Sequence, residues 1–196
     1  MPTICGEITA DIERDCDILP VGGVKPIMRL INIEDIATVT YDATNPLIIT
    51  AITLKTGKQA FKYEVFKRGH KPRFTKVNGD FKDSYRHEVD SSIQVWDNAT
   101  KAQVEALNSA STVAIFENLQ NTGDARIEVY GLEAGLYVAD GAVRNLNEND
   151  GVYVYTLASD DLSLEPHIPR SFWATTYSAT LTALAVLDAP AVAPGG

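Results

Sequence analysis

From Tyr85 to Val95 the chain alternates without a break. Tyr85, His87, Val89, Ser91, Ile93 and Val95 fall on one side, and Arg86, Glu88, Asp90, Ser92 and Gln94 on the other. A period of two marks a strand with one buried face. At about 3.3 Å per residue such a strand runs to about 35 Å, long for a globular domain. It needs a partner, and the nearest lies upstream. Phe61, Tyr63 and Val65 alternate with Lys62 and Glu64, the segment continues to Val77 past Arg68-Gly69-His70-Lys71-Pro72, and Asn78-Gly79-Asp80 is a strong turn. The pattern predicts an extended two-stranded arm over residues 61–95 with a basic tip.

The rest of the chain reads as short strands. Ile27–Ile33 and Leu47–Leu54 are rich in β-branched residues, and Thr112–Glu117, Arg126–Tyr130, Gly135–Ala139 and Val152–Leu157 follow, separated by turn-forming clusters. Residues 98–110 predict a helix capped by Asp97 or Asn98, with Val104 and Leu107 on a narrow apolar stripe. Glu165-Pro166-His167-Ile168-Pro169 reads as a rigid extended link into a C-terminal helix over residues 171–188, anchored by Phe172, Trp173 and Tyr177; residues 189–196 read as a frayed tail. Residues 1–26 are punctuated by proline and glycine and read as irregular, apart from a short helix over Ile8–Cys16. The expected fold is mainly β: one barrel or sandwich over residues 27–170, with a flanking helix, the hairpin arm and the C-terminal helix.

Cys5 and Cys16 lack the spacing of a zinc or redox site and read as free thiols of a protein made in the cytoplasm, with a local disulfide between them as the alternative. The stretch Ala174–Leu187 is too short and too polar to span a membrane, and Met1–Ala10 has no signal-peptide pattern.

Charge is unevenly placed. The net charge is −9, yet residues 55–86 hold ten of the seventeen Lys and Arg with three acidic residues, while residues 87–196 hold four basic and fifteen acidic. Such asymmetry points to an electrostatic partner. The cations Lys67, Arg68, Lys71, Arg73, Lys76, Lys82 and Arg86 are the candidate contact residues. One partner is the acidic surface of a neighbouring copy, where complementarity fixes register. Another is single-stranded nucleic acid, held by these cations and the interleaved aromatics; the alternative to any partner is a solvated basic face over aromatics that belong to the core.

Sequence patterns for chemistry fall short. Thr56-Gly57-Lys58 lacks the upstream glycine and the Ser or Thr of a phosphate loop. Asn145–Gly151 departs from a calcium loop at its first, sixth and twelfth places. His70, His87 and His167 are scattered, and His87 on the apolar face reads as a hydrogen-bonded core histidine. The expectation is a non-enzyme with no catalytic, cofactor-binding or metal-ligating residues and no cofactor.

Asn45–Leu54 with Thr56-Gly57-Lys58, the long arm running to Trp96-Asp97-Asn98, the capped helix and Val129–Tyr137 together resemble virion structural proteins of bacteriophages, especially those of Bacteroidetes-type hosts. The order of elements is similar to that of tail tube proteins. That resemblance implies a subunit that forms stacked, hexameric rings around a DNA conduit. Its partners would be further copies, other tail proteins such as the tape measure, sheath or terminator, and genomic DNA passing through the lumen without specific binding. It would have no membrane partner, and it would be located in the virion tail after assembly in the host cytoplasm. A capsid decoration or connector role, at the neck or as terminator, and a nucleic-acid-binding module remain the alternatives.

Overall fold

The computed structural model describes residues 11–12, 21–65, 69–79, 83–95, 97–120, 122–144 and 151–192. The predicted N-terminal helix, both cysteines, Trp96 and most of the Asn145–Gly151 loop lie outside them, as do Lys67, Arg68 and Lys82.

The chain is mainly β, arranged as two packed sheets with two helices. β1 (Val24–Asn32), β2 (Ile36–Tyr41), β3 (Ile48–Leu54), β4 (Phe61–Glu64), β7 (Thr112–Asn118), β8 (Ile127–Tyr130) and β12 (Arg170–Phe172) form a seven-stranded sheet in the order β2-β3-β12-β8-β7-β1-β4. It is antiparallel except where β12 runs parallel to β3. The second sheet has the order β10-β11-β6-β5, from β5 (Lys71–Val77), β6 (Ser84–Ile93), β10 (Val143–Arg144) and β11 (Tyr153–Ala158). There β9 (Tyr137–Val138) also pairs with β11. Both sheets are open, so the layering is that of a sandwich.

Alternation assigns the faces. Met28 and Leu30 of β1, Ala114 and Phe116 of β7 and Tyr130 of β8 point at the second sheet and meet Val89, Tyr155 and Leu157 there. The intervening Ile31, Val113, Ile115, Ile127 and Val129 point the other way, onto α2 (Tyr177–Leu187) with its buried Leu184 and Leu187. The seven-stranded sheet is therefore the middle layer. This explains why β7 is buried at six consecutive positions and reads as a continuous apolar run. α1 (Asn98–Ser109) starts where the sequence places it, with the Asp97 carboxylate accepting from the Thr100 N–H at 2.7 Å, and it buries Leu107.

Four expectations are corrected. The arm is not one ribbon over residues 61–95: β4 leaves the hairpin and pairs with β1 in the seven-stranded sheet, so only β5 and β6 form the hairpin, from Lys71↔Asp90 to Val77↔Ser84. The sequence from 171 to 188 is not one helix. Arg170–Phe172 is a strand, because it fills the gap between β3 and β8, where Phe172 is fully buried, and the helix starts only at Tyr177, capped by Thr176. The chain just past that helix, as far as Ala191, is not free either. The Ala191 N–H donates to the Lys58 carbonyl and the Gly57 N–H to the Ala191 carbonyl, both at 2.8 Å. In addition, β1 begins at Val24, within the segment read as irregular, because Val24 is buried in the core.

Asp188 completes this attachment. Arg29 and Lys62 face each other across β1 and β4, two like charges that repel. The Asp188 carboxylate accepts from Arg29 Nε at 2.8 Å and Nη2 at 3.0 Å, and sits 2.8 Å from Lys62 Nζ. The turn from β12 into α2 is strained: Thr175 has φ +74°, unfavourable for a β-branched residue. Thr175→Gly should raise stability by about 1 kcal/mol, read as a higher thermal midpoint; an unchanged or lower midpoint would show that the turn carries no strain.

Candidate assembly surface

The β5–β6 hairpin holds the candidate cations that the structure describes. Facing pairs put Lys71, Arg73, Asp90, Glu88 and Arg86 on the outer side of the second sheet. Arg73 bonds Glu88 at 3.0 Å and also Asp90, Lys76 lies 2.6 Å from Asp83, and Arg86 pairs with Asp161. Of the seven predicted contact residues, these three are thus engaged by carboxylates of their own chain, and Lys71 faces Asp90 across the strands. A contact to another molecule would exchange one exposed ion pair for another, a small net gain. These pairs, with Pro72, also guard β5 as an edge strand.

The hairpin's opposite side carries Pro72, Phe74, Lys76, Tyr85, His87 and Val89. Phe74 meets Tyr85 edge to face at 6.2 Å between centroids and is 46% exposed, a large apolar ring beyond the cover of the seven-stranded sheet.

Beneath the hairpin, two buried histidines join the sheets. His87 Nδ1 accepts from the Gly131 N–H at 3.1 Å, so its proton is on Nε2, which donates to the His167 carbonyl at 3.0 Å. His70 Nε2–H donates to the carbonyls of Pro26 and Tyr63, and its Nδ1 accepts from the Ser91 hydroxyl at 2.9 Å. Burial lowers both, His87 to about 4, so both are neutral at pH 7. His87 is the core histidine the alternation predicts. The role of His70 was not legible, because its three partners come from β1, the β4 strand and β6.

Around His87 lies a charged cluster the sequence did not reveal. Glu165, 2% exposed, accepts from the Glu133 and Ala134 N–H groups at 3.0 and 2.8 Å, and burial raises its carboxyl. Arg170 pairs with Glu133 at 2.5 Å and lies over the Tyr41 ring at 4.8 Å. These side chains are spread from 41 to 170, so no local spacing could have announced them. Their bonds brace the Gly131–Gly135 turn.

Two sheet edges and a groove remain. β4 and β2 end the seven-stranded sheet. Along β4, cavities of about 190, 430 and 290 Å³ run in series, sharing Phe61, Tyr63 and Gln103 and then Glu64 and Gln94, with α1 as one wall of the first two. A separate cavity of about 520 Å³ is lined by His70, Lys71, Glu128 and Tyr130, but the Tyr130 hydroxyl donates to Glu128 and the nitrogens of His70 are bonded as described. Among the described residues no cluster of His, Cys, Asp or Glu is arranged to hold a metal ion, and no helix is long and apolar enough to cross a membrane. Comparison of the chain with protein-family models, with curated proteins and with solved structures returns no match.

Proposed function

We propose that the chain is a self-assembling virion structural subunit of the tail tube kind, in which the β5–β6 hairpin of one copy reaches onto the next. The observation that supports this reading is one exposed apolar ring towards the hairpin's tip, Phe74, 46% exposed on an edge strand, on a side whose inner residues His87 and Val89 are buried. The two ends of the seven-stranded sheet support it as well. β2 and β4 are different surfaces, so a contact between them is head-to-tail, the kind that closes rings. The nucleic-acid reading is weaker, because the described hairpin cations face carboxylates and the chain carries net −9.

The contact is therefore apolar rather than electrostatic. Phe74→Asp should weaken assembly at least tenfold and leave the thermal midpoint within a few degrees, since the ring is half exposed. Negative-stain microscopy of the wild type should show rings or tubes, and sedimentation should show the variant as smaller species at both low and high salt. Wild-type protein that stays monomeric at all concentrations overturns the reading. A variant that assembles like the wild type removes the hairpin from the contact.

A further inference from the structure

Asn78 is the only asparagine of the chain followed by glycine. We infer that Asn78-Gly79 is a self-modifying site, where Asn78 converts without an enzyme to aspartyl and isoaspartyl residues. An Asn-Gly pair ordinarily closes a two-residue hairpin turn. Here it does not: the β5–β6 ladder ends at Val77↔Ser84, so the pair opens a longer connection over residues 78–83. Asn78 and Gly79 are both exposed. Among the described residues nothing is hydrogen-bonded to the Asn78 side chain or to the Gly79 N–H. The pair therefore has a loop tip's freedom to change shape.

The reaction needs the Gly79 nitrogen to reach the Asn78 Cγ. Hydroxide takes the proton from the Gly79 N–H, and the nitrogen attacks Cγ. The N–Cγ bond forms, the Cγ–Nδ2 bond breaks, and Nδ2 takes a proton from water and leaves as ammonia. Water then opens the five-membered imide at either carbonyl. One opening leaves the main chain as it was, with an aspartyl side chain. The other routes the main chain through Cγ, the isoaspartyl form, one methylene longer. Nothing is oxidised or reduced. Glycine matters because no Cβ obstructs the approach of its nitrogen. Other asparagines lack these conditions. Asn45 precedes Pro46, which has no N–H. Asn108 lies in α1, where its Oδ1 accepts from the Tyr153 hydroxyl at 2.6 Å. The new carboxylate is ionised at pH 7. It joins a connection that already holds Asp80 and Asp83, the latter 2.6 Å from Lys76. The end of the hairpin thus gains negative charge with time and with pH, and no other protein is required.

The test incubates folded wild type at pH 6 and pH 8, with Gly79→Ala and urea-unfolded wild type beside it at pH 8, and maps the peptides by chromatography and mass spectrometry. In folded wild type at pH 8 the peptide bearing Asn78 should gain about 1 Da, as amide becomes acid, and separate into two products of equal mass. The peptide bearing Asn108 should keep its mass. Conversion should be at least tenfold slower at pH 6, and at least tenfold slower in Gly79→Ala, whose thermal midpoint should match that of the wild type. Folded protein that keeps Asn78 intact while the unfolded chain converts overturns the inference, because the loop then holds the amide away from the nitrogen. A single aspartyl product, or a rate indifferent to Gly79→Ala, overturns it too, because water then attacks the amide directly. Neither result depends on assembly, so the proposed function is untouched by both.

Discussion

Truncating Phe116 to alanine should lower the free energy of unfolding by about 4 kcal/mol. Phe116 is fully buried at the centre of the layer between the sheets. Its ring meets Tyr130 at 5.7 Å and His70 at 5.6 Å, both edge to face. Removing it forfeits those contacts and leaves a cavity whose walls are pinned. His70 is fixed by bonds to Pro26, Tyr63 and Ser91 and cannot move in to fill it. Against a total stability of about 5–15 kcal/mol for a domain, the loss is large. Urea unfolding at pH 7 measures it, with Phe61→Ala as control; Phe61 is 45% exposed on β4, and its loss should cost about 1 kcal/mol or less. Equal costs at the two positions would place the core elsewhere.

Acidification from pH 7 to 4 should cost the fold about 3 kcal/mol through His87 alone. The free imidazole takes its proton near 6.5, the folded one only at about 4. Between those values the unfolded chain binds more protons, so stability falls as pH falls, and above about pH 7 this contribution is flat. Desolvation is the main cause, and the charge of Arg170 adds to it. Protonation would also turn Nδ1 from an acceptor into a donor facing the Gly131 N–H. His70, lowered by burial, acts in the same sense, whereas Glu165, raised by burial, gains stability as pH falls. The His87 part is therefore taken by difference. In His87→Gln, less stable at pH 7, the slope of stability between pH 6.5 and 4 should be shallower by up to about 1.4 kcal/mol per pH unit. A variant with the wild-type slope would show that His87 titrates normally in the fold.

What the sequence made legible is what depends on a single element. The alternation of β6 predicts its buried face, Asp97 marks the start of α1, and the apolar run of β7 shows a strand. What it hid depends on pairing. β4 and β5 share one pattern, yet Arg68–Pro72 is where the chain leaves one sheet for the other, and periodicity does not say which sheet a strand joins. β2 is rich in Ile, Thr and Val yet leaves no strand signal in the sequence, because as an edge strand with two register shifts it shows no clean alternation. β12 cannot be told from the start of the following helix in the sequence, because three residues between two strands have no local signature. The hairpin cations were legible as a cluster, but the carboxylates that face them on β6 lie in the segment counted as acidic, so the segment charges, +7 against −11, overstated what the hairpin offers a partner.

The place of β12 sets an order on folding. It is the strand hydrogen-bonded to both β3 and β8, so the ladder of the seven-stranded sheet stays split there until Arg170–Phe172 have been synthesised. A chain emerging from the ribosome would make the local hairpin of β5 and β6 early. It would still present Ile49 on one open strand edge and Val129 on the other. Such edges attract other chains as readily as their own closing strand. A slow step near the end of synthesis, sensitive to chain concentration and absent from refolding of the short hairpins, is the kinetic signature this topology implies.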